Sequence, residues 1–131
     1  MKYGLLVYPE TKNLGDDIQS YAALQFLPRV DYFLDREHLN LFHPKNSEPV
    51  AAIMNAWYMN NKFNWPPSNY IVPLYISMHF NQEDYFGVNT SFLDDLGGDA
   101  LRVYGSIGCR DTETLRILRG KNIPAYFSAC L

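Results

Sequence analysis

Residues 2–34 decide the fold: Lys2-Tyr3-Gly4-Leu5-Leu6-Val7-Tyr8-Pro9, then Glu10-Thr11-Lys12-Asn13-Leu14-Gly15-Asp16-Asp17, then Ile18-Gln19-Ser20-Tyr21-Ala22-Ala23-Leu24-Gln25-Phe26-Leu27-Pro28-Arg29, then Val30-Asp31-Tyr32-Phe33-Leu34. The first run, Lys2 to Tyr8, is short, apolar and stopped by Pro9, which is the pattern of a buried strand. A polar loop follows. Asp16 or Asp17 serves as N-cap for a helix reaching about Leu27 and closed by Pro28. Ile18, Tyr21 and Ala22, with Leu24 close by, fall on one face of it at helical spacing. Val30 to Leu34 reads as a second strand. Strand, loop, helix and strand within about 35 residues is the length of a βαβ unit.

The rest of the chain continues the alternation less regularly. Val50 to Tyr58 and Tyr70 to Phe80, with Pro73 near its start, read as strands. Between them lies a loop, residues 60–69, with adjacent prolines and several asparagines. Phe92 to Leu96 reads as a short helix and Gly97-Gly98 as a turn. Leu101 to Cys109 contains a strand centred on Ser106-Ile107-Gly108. Asp111 or Thr112 caps a helix through about Arg119, Gly120 is its C-cap, and Ala125 to Phe127 forms a last strand. The expected fold is α/β, a Rossmann-like, mainly parallel sheet flanked by helices.

The chain has 131 residues, 47% of them hydrophobic and 19% charged, so one domain with a real core is expected rather than disorder. Aromatic residues reach 15%, which suits either a packed core or a cleft for rings and sugars. The formal net charge of -3 and the absence of a basic stripe argue against a nucleic-acid partner. No apolar run approaches the roughly 18 residues that span a bilayer, and the first run is too short for a signal peptide, so the expected location is the cytoplasm. Cys109 and Cys130 form no metal or disulfide framework; two buried thiols are expected, with a single bridge the other option. No metal-ligand spacing is present, and no metal is expected.

In open parallel sheets, ligands bind beyond the carboxyl ends of the strands. The turn Asn13-Leu14-Gly15-Asp16-Asp17-Ile18-Gln19-Ser20 lies there. Its glycine admits close approach of a ligand, and the helix N-terminus offers free N–H donors. It suits hydroxyl groups better than phosphate, because two adjacent acids oppose an anion. The alternative is a plain cap and turn. It is neither a dinucleotide fingerprint nor a Walker loop. An aspartate here is the first candidate for a general base. His79, ending the strand 70–80, is a second acid–base candidate or a structural histidine. His38 and His43 are weaker candidates in a polar stretch. Arg110-Asp111 either presents a guanidinium to a ligand or only fixes the turn into the next helix. Trp57, Tyr58, Phe63 and Trp65 surround the Asn/Pro loop and set aromatic faces beside its amides, as sugar sites do and as loops anchored on a core also do; Asn55 lies just after the strand that precedes it. Arg36-Glu37 reads as a local ion pair, and Cys109 as structural for want of a paired base.

Two of these segments carry a family resemblance. The apolar strand followed by Asn13-x-Gly15-Asp16 and a helix with Gln19, Ser20 and Ala22-Ala23 resembles the opening of the polysaccharide pyruvyl transferase family. Gly108-Cys109-Arg110-Asp111-Thr112-Glu113-Thr114-Leu115-x-x-Leu118, followed by Ile123 to Phe127, is similar to that family's strand-Arg-Asp-x-x-Ser/Thr-x-x-x-Leu segment. The resemblance implies one half, the acceptor side, of a two-domain GT-B-like transferase. It implies no cofactor, phosphoenolpyruvate as donor substrate and a sugar or polysaccharide acceptor, with pyruvate moved onto a sugar hydroxyl as a ketal in cell-envelope polysaccharide synthesis. Under it Asp16, Asp17 and His79 are the catalytic candidates, and Asn13, Gly15, Gln19, Ser20, Asn55, Trp57 and Arg110 line the substrate site. A second domain, or a second copy of the chain, completes the cleft and covers an apolar face. The alternatives are a non-catalytic saccharide- or nucleotide-binding module and a nucleotide-sugar glycosyltransferase-like half.

Overall fold

A computed structural model describes residues 1–58, 65–80 and 90–131. Six strands and three α-helices alternate along them: β1 Lys2–Val7, α1 Leu14–Leu24, β2 Tyr32–Asp35, β3 Val50–Ile53, β4 Ile71–Leu74, α2 Leu96–Arg102, β5 Ile107–Cys109, α3 Thr112–Gly120 and β6 Ala125–Phe127. Two 3-10 turns, Arg36–Leu41 and Thr90–Asp94, complete the order. The expected α/β class, with a parallel sheet flanked by helices, is observed. β2, β1, β3 and β4 form a four-stranded parallel sheet in that order. β5 and β6 form a parallel pair.

The chain between β4 and residue 80 joins the two sheets. Ser77 adopts a left-handed backbone, φ 54°, which ends β4 early. Met78 and His79 then resume extended pairing, with His79 beside Trp57 and Met78 beside Cys109. Hydrogen bonds from the Met78 N–H to Gly108 O and from the Arg110 N–H to Met78 O close the seam at 2.9 Å each. Leu6, Leu34, Met54, Met78, Ile107 and Leu118 belong to a single apolar core that runs under both sheets.

Several elements differ from the sequence-based expectation. The N-cap of α1 is Asn13, whose side chain accepts from the Gly15 N–H at 2.9 Å, and Asp16 and Asp17 lie inside its first turn. The helix stops at Leu24, and Ala23 is its one buried residue. The large apolar side chains Ile18 and Tyr21 therefore face outward. β2 begins at Tyr32, because Asp31 is spent on the Tyr3 N–H and on Arg29. β3 and β4 are each four residues long, and Gly97-Gly98 lies within α2. A Cβ on Gly97 or Gly98 would fall 2.2 Å from the Phe92 or Leu93 carbonyl oxygen, so only glycine lets this helix pack on the preceding turn. Leu101 is helical, and β5 keeps only Ile107–Cys109. After α3 the left-handed residue is Asn122, φ 55°, with Lys121 as C-cap. β6 and the Asp111 cap of α3 are as expected.

Candidate active site

The carboxyl ends of the strands carry two polar clusters. The first lies where β2 and β3 flank β1 and the strand order reverses, the usual ligand position in such sheets. Leu6, Tyr8, Asp16, Gln19, Ser20, Arg36 and Asn55 line it. Its polar groups are spent on one another. Arg36, buried at 2% exposure, donates to Asp16 Oδ1 at 3.0 Å and to Glu37 Oε1 at 2.9 Å, and stacks 3.9 Å over the Tyr8 ring. The Thr11 hydroxyl donates to the other Asp16 oxygen, so both carboxylate oxygens are engaged. Ser20 Oγ donates to Leu6 O at 2.8 Å, and Asn55 Nδ2 donates to Gln19 O at 2.9 Å. These contacts fasten α1 to β1 and to the end of β3. The space left between these groups, about 10 Å³, is that of a single water. Asp17 is exposed on the first turn of α1.

The second cluster sits at the seam. His79 Nδ1 lies 2.6 Å from Asp111 Oδ2, and the other Asp111 oxygen accepts from the Thr114 N–H at 2.7 Å. The Thr114 hydroxyl donates to Asp111 Oδ2 at 3.2 Å and accepts from the Phe80 N–H at 3.1 Å, tying the cap of α3 to the strand that carries His79. Burial pushes the Asp111 carboxyl up. The Thr114 N–H, the His79 ring and the Thr114 hydroxyl outweigh it and hold the group below its ordinary value. Asp111 is therefore ionised at neutral pH and orients the imidazole through Nδ1. Trp57 flanks the ring, centroids 6.4 Å apart, on the neighbouring strand. Arg110, half-buried, follows β5 in the next register position, and its guanidinium belongs to none of the ion pairs among the described residues.

The structure thus divides the expected site residues. Asn13, Gly15, Asp16, Gln19, Ser20 and Asn55 cap and fasten α1 or gather at the switch point with Arg36. Trp57, four residues beyond β3, His79 on the resumed strand after β4, and Arg110, just past β5, share one row. Tyr58 and Trp65 pack into the core, ring centroids 5.3 Å apart, with Trp65 Nε1 donating to Gly97 O. Phe63 lies outside the described residues. His38 pairs with Asp35 and His43 with Pro44 O, away from the row. Both cysteines are free, with Cys109 buried and Cys130 exposed. Burial, reinforced by Asp111, pushes the Cys109 thiol up to about 11, which removes it as a nucleophile. Arg36 was visible in the sequence only as half of a local pair. Asp111, read only as a cap, is also the partner of His79, 32 residues away, and no local spacing signals that pairing.

Among the described residues no three or more His, Cys, Asp or Glu side chains are grouped to hold a metal ion, and no helix is long and apolar enough to cross a membrane. The fold and the seam define an open α/β sheet with an oriented histidine at its carboxyl edge. Comparison with protein-family models, with curated proteins and with solved structures returns no match.

Proposed function

We propose that this chain is the acceptor-side half of a polysaccharide pyruvyl transferase-like enzyme, moving pyruvate from phosphoenolpyruvate to a sugar when a second domain or copy completes the cleft. The observation that carries the reading is the 2.6 Å His79–Asp111 pair at the carboxyl edge. Ketal formation takes a proton from each of two hydroxyls; one proton ends on the methylene carbon of the enol and the other on the departing phosphate. A histidine held by a carboxylate is suited to accept and return such protons near neutral pH. Here His79 Nε2 is the general base, Asp111 the positioning residue and Arg110 the contact for the donor's carboxylate or phosphate. The Trp57 ring lies against the sugar's C–H face. Asp16 and Asp17 drop to secondary candidates, because the former already has both oxygens occupied.

The test is to incubate the full gene product with phosphoenolpyruvate and a panel of sugar acceptors and to follow ketal formation. Turnover is expected, and His79→Asn should lower it by about 100-fold or more. Absence of turnover across the panel overturns the proposal. The Trp57 ring beside His79 also suits a second reading, a non-catalytic saccharide-binding module using this row. Saccharide binding without turnover, abolished by Trp57→Ala, selects it.

A further inference from the structure

The sheet has one well-covered face. Leu6, Leu34, Met54 and Ile71 point into the core. On the opposite face, Tyr3, Ile53, Val72 and Leu74 line a groove of about 370 Å³ together with Phe26 and Leu27, which follow α1. Parallel strands are normally covered on both faces, so this opening is unusual. Beside the groove runs a ridge. Leu14, Ile18 and Tyr21 recur at helical spacing on the side of α1 opposite its buried Ala23. Ridge and groove together expose Leu14, Ile18, Tyr21, Phe26, Val72 and Leu74, each between 39% and 71% open. With roughly 150–250 Å² per aromatic side chain and less per aliphatic one, these exposed fractions offer on the order of 700 Å² of apolar surface, at or just above the ~300–600 Å² of a typical monomer's largest patch. That is close to the ~800 Å² each partner contributes to a standard interface.

We infer that this face is a homodimer interface in which α1 of each copy lies in the β3–β4 groove of the other. The shape selects a second copy as the occupant. A convex apolar ridge and a concave apolar groove lie side by side on one surface, and a two-fold axis between them seats each ridge in the partner's groove. This is the self-complementarity an isologous contact requires. Among the described residues that line the groove there is no Asp, Glu, Lys or Arg, so the groove wall itself presents no charge to an apolar ridge. The inference does not rest on the proposed chemistry.

The experiment needs no substrate: light scattering and analytical ultracentrifugation of the whole protein across a concentration series. A dimer mass is expected in the micromolar range. Ile18→Glu and Leu74→Glu, one on the ridge and one in the groove, should each weaken association by at least about tenfold, with circular dichroism unchanged because both side chains are exposed. In a Cys130→Ser background, mixing Ile18→Cys protein with Leu74→Cys protein should give a disulfide-linked pair on oxidation. A wild-type monomer at every concentration overturns the inference. So do variants that remain fully dimeric, and so does failure of the mixed pair to cross-link.

Discussion

Asp111 serves α3 and His79 at once. One oxygen caps the helix through the Thr114 N–H and the other holds the imidazole. Its folded pKa lies below the ordinary value, so the ionised group stabilises the fold above the unfolded carboxylate range near ~3.9. That contribution is lost as the pH falls through the lower folded value. Asp111→Asn keeps a good capping side chain and removes the charge. The variant should therefore have a lower denaturation midpoint than wild type at mildly acidic to neutral pH. The gap should close once the pH is below the folded value, as read by urea titrations over a pH series. A gap independent of pH would place the effect in packing instead. At this scale Arg110-Asp111 showed in the sequence as a turn that caps a helix, and that much was legible from its neighbours alone. The link to His79 was not, because it forms only when a resumed strand meets β5 across the seam.

Elements were legible where local chemistry sets their limits. The Asp111 cap and the turn after Gly120 bound α3, and the short apolar run after that turn marks β6. The apolar runs 50–58 and 70–80 carry no such mark. A continuous run cannot show where backbone geometry interrupts it, and the left-handed Ser77 does so here. The same limit applies to α1, whose apolar stripe has helical period but no sign of which side the sheet takes. The inner side is small and polar, with Ala23, Ser20 and Asp16. The helix is then held by its cap and its hydrogen bonds to β1 more than by apolar burial. Asn13→Ala should cost about 1 kcal/mol, since the Gly15 N–H loses its acceptor. Asn13→Asp should restore most of it. Urea unfolding of the three proteins measures both, and an Asn13→Ala variant as stable as wild type would show that water replaces the cap.

At the scale of the whole molecule, the four-stranded sheet and the β5–β6 pair form one folding unit only if the seam holds. Both sides lean on the same core, and Met78, fully buried, sits where they meet, paired to Cys109 and packed within that core. Met78→Ala removes buried methylenes with little chance for the surroundings to close in, a loss of about 2–5 kcal/mol. That is a large share of the stability of a domain this size. Because the cavity opens on the seam, its cost falls on both sheets together. Far-ultraviolet circular dichroism reports the strands and helices as a whole. Tryptophan fluorescence reports Trp57 at the seam and Trp65 in the core. The two probes should give coincident transitions in wild type, and in Met78→Ala both should move to lower denaturant by the same amount. If instead the variant unfolds in two steps, with one probe unchanged in midpoint, the β5–β6 pair is a separate unit. The His79–Asp111 geometry would then depend on a docking contact rather than on a continuous core.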